Sequence, residues 1–186
     1  MMTITEAARR AAFEEHVPYE IHHLVEAYKL LLEPNRHLSG LTPDMARAVE
    51  DELIVSFCTH ARNLLEFFFR PKDKTKYKYA LARDYANKEY EPLKKSDVEA
   101  LYDQLCAQIN HLTYNRTDDD DRKIGAAERK ELVKIVHKEA ERLGGHLRKE
   151  YDRQHLQIDR LAKAAEMPVT EKAAGVSTSL AGSHLR

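Results

Sequence analysis

Apolar residues recur every three or four positions over four stretches of the chain, the spacing that gathers them on one face of an α-helix. From about Pro18 to Glu33 the stripe is Ile21, Leu24, Val25, Tyr28, Leu31 and Leu32. Proline suits a first helical turn, where its missing N–H would have no partner anyway. Pro34 and the NRHLSG segment close this helix. The second stretch opens on Thr42 as N-cap, Pro43 at the first helical position and Asp44 against the positive end of the helix dipole. Val49, Leu53, Phe57, Ala61, Leu64 and Phe68 form its apolar face, and Leu65, Phe67 and Phe69 widen that face before Pro71. A helix this apolar is expected at the centre of a bundle. The third stretch begins with Ser96 and Glu99, a capping-box pair. It continues through Val98, Leu101, Leu105, Ile109 and Leu112 to Arg116. The fourth starts near Ala126 and shows Leu132, Val136, Ala140, Leu143 and Leu147. Gly144–Gly145 weakens it, at about 1 kcal/mol per glycine relative to alanine, so the helix either bends there or runs on to Leu161.

These patterns predict an all-α, four-helix-bundle-like single domain over residues 1–165, without a sheet. A long connection separates the second and third helices. From residue 166 to 186 small and polar residues dominate, and this tail is expected to be disordered. Within the connection, KDKTKYKY is basic with interleaved tyrosines, and ALARDYANKEY reads as a short helix. Connections of this length usually carry structure or function of their own. With 33% charged residues and only 6 Gly and 6 Pro, the composition favours long helices over a turn-rich β fold. A net charge of −1 argues against a polycationic nucleic-acid coat but leaves room for a local patch. Cys58 and Cys106 are far apart and form no CxxC, so neither a disulfide framework nor a cysteine zinc site is expected, and a reducing compartment fits. No apolar run approaches the roughly 18 residues that span a bilayer. The first residues lack a signal-peptide core. The expected setting is therefore soluble and cytoplasmic, with no membrane partner.

Candidate chemistry centres on two places. Among ten histidines, His22, His23, His37, His155 and His184 are expected on exposed faces, in loops or in the tail. No dense metal-ligand spacing occurs. His60 differs, because Glu52, Ser56, His60, Asn63 and Phe67 step along one side of the second helix. A polar column beside an apolar face must find buried partners or line a groove. Arg62 lies about 200° around the helix from His60, and its natural partner is Glu66, four residues on. The second place is INHLTYNR, where Asn110, His111, Thr113 and Arg116 crowd a helix end; a cation there also suits the helix dipole. The TDDDD run lacks the alternation and glycine of a calcium loop and precedes a helix, where acids are favourable. KDKTKYKYALAR offers charges and rings to a single-stranded nucleic acid.

Two phrases, HARNLLEFFF at residues 60–69 and NHLTYNR at residues 110–116, resemble segments of a group of small bacterial all-helical proteins. A looser resemblance is to the HEPN superfamily of helical bundles, often dimeric and in many cases metal-independent ribonucleases. That family's motif is an arginine, four to six residues, then a histidine. Here His111 and Arg116 stand in the reverse order, and the forward match, Arg10 to His16, falls in a polar N-terminal stretch. The leading expectation is a non-enzymatic bundle without a cofactor, acting through a protein partner or as a homodimer. The alternative implied by the resemblance is an RNA-cleaving enzyme. His60, His111 and Arg116 would then surround one cleft, in which a neutral histidine would abstract a 2′-hydroxyl proton and Arg116 would stabilise the phosphorane charge. Glu52, Asn63, Asn110 and Thr113 would complete the binding site. A third reading places a metal between Glu52, His60 and His111 on facing helices. The polar columns of the second and third helices are expected to meet in one site.

Overall fold

The computed structural model describes residues 5–69, 80–109 and 124–169. Helix begins earlier than the periodicity suggests. Thr5 Oγ1 accepts the Ala8 N–H at 3.2 Å and opens α1, Glu6–Ala11. A π-helical turn, Ala12–His16, leads directly into α2, Val17–Leu32. The polar N-terminal stretch is thus part of the bundle, and Phe13 is completely buried. The apolar stripe runs through the proline, as Phe13, Val17, Ile21 and Leu24. Pro18 cannot donate to the carbonyl four residues back, and the wider turn immediately before it takes up that gap.

After the short α3, Pro34–His37, comes α4, Pro43–Phe69. Thr42 Oγ1 accepts the Met45 N–H at 3.3 Å, the cap read from the sequence. Glu20 of α2 meets His60 and Asn63 of α4, while Tyr28 meets Phe57, so the two helices run antiparallel. Phe57, Cys58, Ala61, Leu64, Leu65 and Phe68 fill the core between them. The apolar face expected from Val49 onward starts later, since Met45 and Val49 are 55% and 41% exposed. At that height α2 has already ended at Leu32 and leaves the first turns of α4 uncovered.

The expected helix at ALARDYANKEY is a single 3₁₀ turn, Ala82–Asp84. Around it Ala82, Tyr85, Ala86 and Tyr90 are buried. Ala86 and Leu147 form an isolated bridge, and no strand occurs among the described residues. Lys95–Asp97 is a second 3₁₀ turn, in which Ser96 Oγ donates to Asp97 Oδ1 instead of capping a helix. The helix itself, α5, is Glu99–Ile109 and lies against α4. Leu105 is buried and Ile109 only half-buried. α6, Ala126–His146, runs unbroken through both glycines. The chain then turns, makes a 3₁₀ turn at Arg153–Leu156 and starts a separate helix, α7, Ile158–Glu166. The residues expected to tail away from Glu166 begin by packing. Met167 and Val169 lie on the core, and Lys130 Nζ donates to the Met167 carbonyl at 3.0 Å. Residues 170–186 fall outside the described residues.

Gly144 and Gly145 have different reasons to be glycine. A Cβ on Gly144 would sit 3.0 Å from Arg153 Nε and 3.1 Å from Ile158 Cδ1, whereas one on Gly145 would meet nothing within 4 Å. Gly144 therefore lets the returning 153–158 segment approach α6. Gly145→Ala should raise stability by about 0.5–1 kcal/mol through helix propensity. Gly144→Val should lower it by about 1–3 kcal/mol through overpacking. Thermal melts of the two variants, read against wild type, check both signs.

Candidate functional site

α2 and the turn that leads into it carry a polar column beside the apolar stripe: His16, Tyr19, Glu20 and His23. Antiparallel packing lays it along the His60–Asn63 column of α4. The Glu20 carboxylate accepts a hydrogen bond from His60 Nδ1 at 2.7 Å. Asn63 Nδ2 donates to both Glu20 oxygens at 3.3 Å. The His60 and Glu20 side chains retain only 13% and 24% of their exposure. This satisfies the requirement that a polar column near a core find partners. The His23 ring stacks on His60, with centroids 5.1 Å apart and planes 19° apart. Tyr19 contacts both rings, at 4.3 Å from His23 and 5.8 Å from His60. His22 meets His23 edge-on at 5.1 Å. Burial, then the nearby His60 and His22, hold His23 below the usual imidazole range, against an opposing pull from Glu20.

On the other side of Glu20 and Asn63 opens a cleft of about 510 Å³. His16, Glu20, Arg62, Asn63, Glu66 and Phe67 line it, and His60 is not in its wall. Glu66 accepts from Tyr102 Oη at 2.7 Å, which ties α5 to α4 at the cleft. Arg62 Nε lies 3.9 Å from Glu66, the pairing expected from their spacing.

Of the expected site residues, the structure describes Glu52, His60 and Asn63. His60 and Asn63 are brought together, but by Glu20 of α2. Glu52 is exposed on α4, beyond the end of the seam where α2 stops. Asn110, His111, Thr113 and Arg116 lie outside the described residues, as do TDDDD and KDKTKYKY. Among the described residues no three His, Cys, Asp or Glu side chains are grouped to hold a metal. His23, expected on an exposed face, is half-buried in the seam, and His155 is half-buried beside Phe13. Glu20 was not foreseen. Its signal is the i, i+3 pair Glu20 and His23 next to Ile21 and Leu24, a second polar column bordering a second apolar stripe.

A separate polar group lies deep in the core. Arg129 is buried and donates from Nη1 to the Ile124 carbonyl at 2.9 Å. Burial pushes the nearby Cys58 thiol up to about 12, against a smaller lowering by Arg129. A thiol so protonated is a packing group and not a nucleophile. No helix among the described residues is long and apolar enough to cross a membrane. No protein-family model, no curated protein and no solved structure matches the chain.

Proposed function

We propose that the protein is a non-enzymatic helical bundle that acts by binding a protein partner or a second copy of itself. One observation carries this reading. The imidazole of His60 serves as a strut between α2 and α4, held at Nδ1 by Glu20 and covered on one face by His23. It faces the seam, away from the cleft. Apolar side chains meanwhile stand in solvent around the turn from α2 to α4, with Leu41, Met45 and Val49 all exposed. A HEPN-like, metal-independent ribonuclease is the second reading. Its support is the Glu20–His60 pair, in which Nδ1 is fixed by a carboxylate while Nε2 has no partner among the described residues. A general base is commonly oriented in this way.

Incubation with single-stranded RNA and a chelator separates the two. No cleavage above buffer is expected from wild type, nor from His60→Gln. Cleavage by wild type that disappears in a folded His60→Gln variant would overturn the binding reading in favour of the enzyme.

A further inference from the structure

The seam between α2 and α4 holds more titratable rings than carboxylates. We propose that Glu20, His23 and His60 form an acid-sensitive clasp, which releases the N-terminal half of α2 from α4 when both stacked imidazoles carry a proton. The geometry sets the imbalance. His60 has the Glu20 carboxylate at hydrogen-bond distance, so a proton there is balanced by an adjacent negative charge. Among the described residues His23 makes no hydrogen bond to a carboxylate, and its ring face lies against His60. A second proton places two like charges face to face with a single carboxylate to balance both.

The surroundings do not correct this. From α2, Tyr19, Glu20 and His22 face His23; from α4, His60 does so, with the uncharged Asn63 beyond it. One turn on, Glu26 is already held by Lys29 and by Arg160 of α7. Glu66, across the cleft, is engaged by Tyr102 and Arg62. The uncharged Gln157, just before α7, reaches this part of α2 and donates to the Pro18 carbonyl.

The direction in pH follows from the proton preference of the fold. The folded chain holds His23 below its ordinary value, so folding favours the neutral ring. That contribution to stability is complete above the unfolded-state value of about 6.5. It is lost as the pH falls through the lower, folded-state value, because the unfolded chain then binds the additional proton. Opening here has a local consequence. Glu20, Val17 and His16 form one wall of the cleft, and Asn63 and Phe67 belong to the other, so the clasp sets the width of the cleft. The inference does not depend on which surface of the bundle meets a partner.

The test compares wild type with His23→Gln, which keeps a polar side chain but cannot charge, and with His22→Gln as the exposed neighbour. Melting temperature and backbone hydrogen exchange are measured at about pH 7.5 and about pH 5.5. Wild type and His22→Gln should lose several degrees on acidification. Their exchange over residues 16–24 and 58–67 should rise about tenfold beyond the intrinsic pH effect. His23→Gln should lose at least half of both responses. An acid response in His23→Gln equal to that of wild type would overturn the clasp, as would a wild type indifferent to acid. Should His23→Gln not fold, NMR titration of the His23 ring in wild type decides instead: a midpoint at or above the unfolded value rules the clasp out.

Discussion

Replacing Phe13 by alanine should cost about 3–5 kcal/mol, the range for truncating a fully buried phenylalanine. Phe13 has no exposed surface. Its ring centre lies 4.8 Å from that of Tyr85, 5.3 Å from that of Tyr151 and 6.1 Å from that of His155, which it meets edge-on. These neighbours come from distant parts of the chain and cannot all collapse into the gap. The Tyr151 phenol is itself fixed. Tyr151 donates to Glu6, and burial together with that hydrogen bond pushes its ionisation up to about 12. In a domain of this size each kcal/mol shifts the melting temperature by about 2–4 °C. The expected drop is therefore about 6–20 °C by calorimetry. A drop below about 2 °C would mean that the segment before Val17 contributes nothing to the fold.

Glu20→Ala is expected to have the next largest effect, a loss of about 2–3 kcal/mol. It strands His60 Nδ1 and Asn63 Nδ2 in a seam that water reaches only partly. A donor deprived of its partner in such a place costs about 1–3 kcal/mol, less where solvent can substitute. His60→Ala removes the same contact from the other side, so the two losses should not add. The double variant should be more stable than the sum of the single losses implies, by about 1–2 kcal/mol. Urea midpoints at an unchanged slope give these differences. Strict additivity would show that Glu20 and His60 are neighbours without being coupled.

Much of the helical framework was legible because its signals are local. The stripe of α2, those of α4 from Phe57 and of α6 up to Leu143, and the Thr42–Pro43 start each depend on residues a few positions apart, and these stand in the structure. What escaped depends on distance or on competition. Phe13 belongs to the α2 stripe, but Pro18 stands between them and reads as a start because its missing donor is usually tolerated only there. The π turn that accommodates it leaves no mark in hydrophobic periodicity. Ser96 and Glu99 had capping-box spacing, yet Asp97 took the serine hydroxyl and the helix began later. Tyr85 and Tyr90 are core residues in a segment without regular helix, where no period can announce burial. At the candidate site, the polar column on α4 was visible, and its need for partners followed from chemistry. Its partner was not, since Glu20 lies 40 positions away and was brought opposite only by the antiparallel pairing.

The N-terminal helix has its partners at the other end of the chain. Arg10 Nη2 donates to the Glu150 carbonyl at 3.1 Å across 140 positions, and Glu6 receives the Tyr151 hydroxyl across 145. A ribosome adding about 5–20 residues per second makes Phe13 about 7–28 s before Tyr151. For that interval Tyr151 and His155 are missing from around the Phe13 ring, while Tyr85 and the α2–α4 pair are made before it ends. Synthesis thus delivers the bundle in two instalments, and the pocket around Phe13 closes only when the second arrives.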